Sequence, residues 1–272
     1  MNKILKICLT SVSALISTFF MFIPESLFGK FIFFSSLSNE INIIINRILF
    51  SISLGLIVVA IYTVYIKFRK KITIKGKNYI VEVKYGDINE EKNCKKVINF
   101  DECYTDKVGT KIYEIKSKSI CGQYLLKHSD LDVRELIRKN KINKSVSNSE
   151  FNNKTRYYSG TLVPNGDDLL MAFAKLDKDG RGIFHSYQEY INCLSKLWEE
   201  IDKYYAQKDV CIPILGDGLT RIGDYSFTKQ ELLDIIIMSY KLSAYKIKKP
   251  YKLCIICKES DDFSLNKIGE TL

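Results

Sequence analysis

The chain has 272 residues, with 41 Lys and Arg against 31 Asp and Glu, a formal charge of +10 and two histidines. The surplus is uneven: residues 1–71 hold eight basic and two acidic residues, net +6, and residues 72–272 hold the other 33 and 29, net +4. A surplus gathered beside apolar sequence suits anionic lipid and lacks the basic stripe of a nucleic-acid-binding domain, while two histidines leave little material for histidine-based metal or catalytic chemistry.

Two long apolar runs come first, residues 4–23 and 48–66, and each is of the length that crosses a bilayer core as a helix. The second, ILFSISLGLIVVAIYTVYI, has no charge between Arg47 and Lys67, and Tyr62 and Tyr65 near its end suit the headgroup layer. Lys67, Arg69, Lys70 and Lys71 follow directly and place that end in the cytoplasm. The first run has Lys3 and Lys6 at its start in the manner of a signal peptide, but the residues after it, Pro24 to Gly29, are too bulky for a cleavage site. The expectation is therefore two transmembrane helices forming a hairpin. Both termini and the soluble part are then cytoplasmic, in a multi-pass protein of the inner or plasma membrane. The Phe31-Ile32-Phe33-Phe34 patch would lie in the outer interface.

Beyond the basic collar, residues 71–75 and 79–85 read as strands joined at Gly76-Lys77-Asn78, and 95–99 as another short strand. Residues 117–150 look helical in two pieces, with Ser129 capping a helix over 130–139. Asn165-Gly166 marks a hairpin between 161–164 and 169–176. Two Ser/Thr-x-x-Glu boxes, Ser186 to Glu189 and Thr228 to Glu231, open helices that run to about 205 and 243. Apolar strands over 209–215 and 251–257 complete a strand–helix alternation that predicts a βαβ series, with helices covering both faces of one sheet. The domains are thus a membrane anchor, 1–71, and a cytoplasmic domain, 72–272. Cys254 and Cys257 lie three apart in a strand, so they face opposite sides and do not form a metal pair. Seven cysteines in the soluble part, without a disulfide-rich spacing, agree with a cytosolic setting. The carboxylate pairs Asp167-Asp168 and Asp261-Asp262 read as solvated loop residues.

Two loops carry the chemistry. Gly216-Asp217-Gly218-Leu219-Thr220-Arg221 follows a strand and precedes a helix, where ligands of open α/β sheets bind. Glycines there let backbone N–H groups converge on an anion such as a diphosphate, the helix N-terminus adds favourable potential, and Arg221 adds a charge. The Lys-Ser/Thr of a P-loop and the last glycine of GxGxxG are both missing, so a purely structural turn is an equal reading. In the other loop, Gly86-Asp87-Ile88 ends an early strand. Asp87 can accept an adenine amino N–H with Ile88 against the ring, or it can simply cap the turn.

Taken in order, these motifs resemble a macro domain, the module that binds ADP-ribose and its derivatives. Gly86-Asp87-Ile88 resembles the family's adenine turn, Val97-Ile98-Asn99-Phe100-Asp101 its strand end, and Gly216-Asp217-Gly218 its late glycine loop. Tyr158 to Thr161, residues 170–176 and residues 213–222 are similar to the divergent macro branch of Thoeris anti-phage effectors, in which membrane helices precede such a domain. The resemblance covers roughly 79–258. It implies a macro-like three-layer α/β/α fold that binds an ADP-ribose-derived messenger, a histidine–ADP-ribose conjugate made from NAD by a TIR-domain partner. Binding would drive homo-oligomerisation and membrane disruption, with no cofactor, metal or catalytic residue. Asp87 and Ile88 would meet adenine, Asn99 and Asp101 the distal ribose, and Gly216 to Arg221 the diphosphate. Phe100 and Asp101 replace the small residues the family has after its Asn, which argues against hydrolase chemistry. The alternatives are a membrane-tethered ADP-ribosyl hydrolase, using Asn99 or Asp101 to position water, and an ADP-ribose-binding or protein-binding adaptor.

Overall fold

The computed structural model describes residues 3–30, 38–260 and 263–268, so the Phe31 to Phe34 patch and the Asp261-Asp262 pair lie outside the described residues. The chain divides into two units, Met1–Arg69 and Lys70–Leu272. In the first, α1 (Lys3–Phe22), α2 (Glu25–Phe28) and α3 (Asn39–Lys67) follow one another. Helix α3 starts well before the expected residue 48, because Ser38 caps it by accepting from the Ile41 N–H and its first turns are held by polar contacts. Asn46 donates to the Phe28 carbonyl at 2.6 Å, and Arg47 pairs with Glu25 at 2.6 Å while lying over the Phe20 ring. Phe20, Phe28 and Phe50 pack edge-on or tilted and fasten α1 and α2 to α3.

Among the described residues one helix, Asn39–Lys67, is long and apolar enough to cross a membrane, whereas two were expected. In the first run the described apolar stretch is Val12–Phe22. Within it, Ser17 and Thr18 return their O–H to the Ser13 and Ala14 carbonyls. At 1.5 Å per residue α3 spans about 43 Å, more than the roughly 30 Å hydrocarbon core needs.

The second unit is built on a nine-stranded mixed sheet. Its strands are β1 (Lys71–Lys75), β2 (Ile80–Tyr85), β3 (Cys94–Asp101), β4 (Leu162–Asn165), β5 (Asp168–Leu176), β6 (Gly182–Phe184), β7 (Asp209–Pro213), β8 (Arg221–Ile222) and β9 (Leu253–Cys257). Their order is β1-β2-β9-β7-β3-β5-β6-β8, with β4 paired to β5. The run β2, β9, β7, β3, β5 is parallel throughout, and β1, β4 and β6 join it antiparallel. The hairpin at Asn165-Gly166 forms as expected, with Asn165 opposite Asp168.

Helices cover both faces. On one, α6 (Tyr187–Tyr204) and α7 (Lys229–Leu242) bury Leu194, Leu197, Trp198, Leu233, Ile236 and Tyr240 against Val97, Met171, Ile212 and Ile255. On the other, α4 (Ile120–Lys127) and α5 (Val133–Lys139) pack Tyr124, Leu125, Val133 and Ile137 on Ile98, Phe100, Leu170 and Ala172. Alternation along β9 sends Cys257 into the larger core and Cys254 into a small cluster with Ile88, Cys94, Cys211 and Ile256. All seven cysteines whose side chains are described are free thiols.

Local signals hold unevenly. Thr228 and Glu231 form a reciprocal capping box. Ser186 accepts from the Glu189 N–H, but the Glu189 carboxylate instead meets Lys175 at 2.6 Å and the His185 N–H at 2.9 Å. The cap of α5 is Asp132, which accepts from Glu135 N–H at 2.9 Å; the expected Ser129 lies too early.

Gly160 shows how closely α6 approaches the sheet. Its φ is +92°, its N–H donates to Ala172 at 2.7 Å, and a Cβ there would lie 2.5 Å from the Cys193 carbonyl oxygen. A Gly160→Ala variant is expected to lose about 2–4 kcal/mol, from backbone strain and overpacking together. Thermal unfolding in detergent checks this, and an unchanged midpoint would contradict the packing described.

Candidate functional site

Because β2, β9, β7, β3 and β5 are parallel, their carboxyl ends all open on one edge of the sheet. That edge receives Asp87 from β2, Asn99 and Asp101 from β3, and residues 216–220 from β7. The topology therefore gathers both sequence-expected loops at one place.

The β2 turn is tightly built. Gly86 N–H donates to the Cys257 carbonyl at 3.0 Å, which ties the turn to β9. Oδ1 of Asp87 accepts from the Asn89 N–H at 2.9 Å and from Asn89 Nδ2 at 3.1 Å, so the side chain is a cap as well as an acceptor. Asn89 Nδ2 also donates to Gln123 of α4 at 2.8 Å. Ile88 is only 2% exposed and packs among Cys94, Cys211 and Cys254. It supports the turn from beneath and offers no open face to a ring, because the short 3₁₀ turn at Ile88–Glu90 points it into the sheet.

On β3, Asn99 is half-buried and, by alternation, lies opposite the face of Ile98 and Phe100. Asp101 Oδ1 accepts from the Cys103 N–H at 2.8 Å and the Thr105 N–H at 3.2 Å. Burial pushes its pKa up, against the pull of those donors. The next residue, Glu102, escaped sequence reasoning. It is 1% exposed and accepts from Ser149 at 2.5 Å, the Leu176 N–H at 3.1 Å and Arg156 at 3.2 Å. Its partners lie far along the chain, so no local pattern announces this clamp.

After β7 the chain turns at Gly216, whose φ of +91° favours glycine. Asp217 pairs with Lys229 at 3.3 Å, and Lys229 Nζ also donates to the Lys258 carbonyl at 3.0 Å. Gly218 has open space around it, and Leu219 is 83% exposed. The N–H groups of Gly216, Leu219 and Thr220 make no hydrogen bond among the described residues. Arg221 departs from the expectation of one continuous loop, since Arg221 and Ile222 form β8 against β6; its side chain is nonetheless exposed. The N-terminus of α7 is occupied by its capping box, so an anion here depends on the loop amides rather than the helix end. No group of His, Cys, Asp and Glu among the described residues is arranged to hold a metal.

Asp101 gives a pH test. A raised folded-state pKa means that its favourable contribution is complete below the unfolded carboxylate pKa and is lost as pH rises through the folded value. Asp101→Asn keeps an acceptor for both N–H groups but cannot ionise. Its stability relative to the natural chain should therefore be higher at about pH 7 than at about pH 4 in thermal melts. A pH-independent difference would contradict the burial argument.

Residues 81–258 match the family model described as Thoeris protein ThsA, Macro domain. Thoeris protein ThsA of Bacillus amyloliquefaciens (strain Y2) is 32% identical over 253 residues, covering 90% of this chain and 83% of the relative. An Oceanobacillus iheyensis macrodomain variant solved with ADPR aligns at 10% identity and a TM-score of 0.45, over 71% of this chain and 92% of its own. A second variant from that organism gives 10% and 0.46 over 75% and 100%. Structural overlaps of that size carry none of the assignment. On the extent of the family match and the identity to the curated relative, the chain belongs to the ThsA family of Thoeris anti-phage proteins, with its macro domain at residues 81–258.

Proposed function

We propose that this chain is a membrane-anchored defence effector whose macro domain receives an ADP-ribose-derived messenger. The messenger is a histidine–ADP-ribose conjugate that a TIR-domain partner makes from NAD. Receipt of it drives self-association of the chain and breach of the bilayer. The observation that carries the reading is the pairing of a ThsA-family macro domain with the 29-residue apolar helix Asn39–Lys67, whose spanning window is only 6% buried. That helix is the membrane span, and the collar of Lys67, Arg69, Lys70 and Lys71 holds its end on the cytoplasmic side.

In this reading Asp87 accepts the adenine amino group through its carboxylate, in a turn braced by Ile88 and Asn89. The amides of Gly216, Leu219 and Thr220, which make no hydrogen bond among the described residues, meet the diphosphate, with Arg221 contributing charge. Asn99 and Asp101 sit beside the distal ribose. Asp101 is already engaged by two backbone N–H groups, which supports an anchoring role over positioning a water and so favours a receptor over a hydrolase. Moving an assembly equilibrium from 1:99 to 99:1 takes about 5.5 kcal/mol of differential binding. A micromolar ligand supplies about 8 kcal/mol in total, so assembly is within reach when most contacts form only in the assembled state.

Purified full-length protein in dye-loaded liposomes should release dye on addition of the histidine–ADP-ribose conjugate, in a saturable manner. No release at saturating conjugate would contradict the effector reading, and turnover of the conjugate would favour the hydrolase. Asp87→Asn retains the acceptor for the Asn89 N–H but loses the charge. It should weaken binding by roughly tenfold or more in calorimetry, the worth of one hydrogen bond to a charged group. Unchanged affinity would remove Asp87 from the site.

A further inference from the structure

We propose that the β1 side of the macro domain docks on anionic lipid headgroups, through lysines that separate segments of the chain bring together there. This rests on the membrane-anchor reading above and is independent of the messenger.

The sequence holds no Asp or Glu from Ile41 to Val81, nor from Ile235 to Lys258. Folding joins the two stretches. Lys249 Nζ donates to the carbonyls of Gly76 and Lys77 at 3.0 and 3.3 Å, which ties the β1–β2 turn to the segment entering β9. The Tyr79 ring meets Tyr240, near the end of α7, edge-on at 5.6 Å, and the Lys246 ammonium lies over both rings. The β1–β2 turn and the last turn of α7 thus form one fixed surface. Lys75, Lys77, Lys241 and Lys248 are exposed and make no ion pair among the described residues. Two carboxylates on neighbouring strands, Glu82 and Asp209, are already met by Lys252 at 3.0 and 3.9 Å, and Glu82 also by Lys71 at 3.9 Å. Leu242 is 79% exposed, and Tyr245 is exposed in the same segment. Lysines on an edge strand guard against stray strand pairing, which accounts for Lys71 and Lys75. It does not account for Lys241 and Lys248, which lie off the strand, nor for an exposed leucine between them.

The tether identifies the occupant. Lys70 opens the domain, its carbonyl accepting from the Tyr85 N–H at 3.1 Å, and β1 leads from there to the turn over roughly 20 Å. Only residues 68–70 separate the apolar helix α3 from β1. A surface so close along the chain to a bilayer span meets that bilayer at high effective concentration and needs little affinity of its own. Each lysine brought to an anionic surface raises the partition about fivefold, so four act on the order of several hundredfold. Leu242 and Tyr245 add an apolar and an amphipathic group suited to the headgroup layer. Docking holds the domain beside its own leaflet and makes its freedom depend on lipid charge and salt.

The test is acylation footprinting of lysines by mass spectrometry, on the full chain in nanodiscs of phosphatidylcholine alone or mixed with phosphatidylglycerol. Labelling of Lys75, Lys77, Lys241 and Lys248 should fall about fivefold in the anionic discs, with Lys139 of α5 unchanged. It should recover near 1 M salt, where the Debye length is about 3 Å. A chain carrying Lys77→Glu and Lys248→Glu, with Lys249 kept to hold the turn, should keep its thermal midpoint and lose the lipid-dependent protection of Lys75 and Lys241. Equal labelling in the two lipids would overturn the surface, as would protection that persists in a folded double variant. Protection alike in neutral and anionic discs would assign the surface to a second copy of the chain and overturn the lipid proposal. A chain that does not enter nanodiscs of either kind removes the membrane-anchor reading, and the surface with it.

Discussion

Backbone N–H groups demand partners, and most of this domain supplies them through its ladders and caps. A gap at the carboxyl edge organises everything else. Gly216 takes a positive φ, the chain leaves the sheet, and three nearby amides have no internal acceptor among the described residues. Five parallel strands bring the Asp87 turn and the β3 end to the same edge as these amides. Such amides can hold an anion, and Lys229 at the start of α7 is already paired with Asp217.

The surroundings hold that arrangement in place by different means. Beneath the β2 turn, Ile88 and the thiols of Cys94, Cys211 and Cys254 fill the space under the sheet, with Cys211 donating to Cys94 at 3.3 Å. Burial keeps Cys257 on the other face protonated, its thiol pushed up to about 12. Glu102 gathers the segment near Ser149 and Arg156 and the end of β5 into one hydrogen-bonded unit. Losing one partner of so buried a carboxylate costs more than its net worth to stability, because the charge would remain without compensation.

Much of this was legible wherever the cause is local. The Asn165-Gly166 hairpin and the Thr228 to Glu231 box depend on residues within a few positions of one another, and both form as read. The Ser186 box is incomplete because Lys175, from another strand, claims the Glu189 carboxylate. Strands β6 and β8, three and two residues long, exist only through each other and β5, so no sequence periodicity shows them. For the site, the glycines and carboxylates read from strand ends fall on one edge of the sheet, but the burial of Ile88 and the engagement of Asp101 depend on distant packing.

The central claim is that the ligand's diphosphate rests on the amides after β7. Site-resolved amide hydrogen exchange on the full chain, with and without an ADP-ribose derivative, measures this directly. Strong new protection at Gly216, Leu219 and Thr220 on binding is the predicted result. Saturating ligand that leaves those three amides exchanging as before would contradict the account.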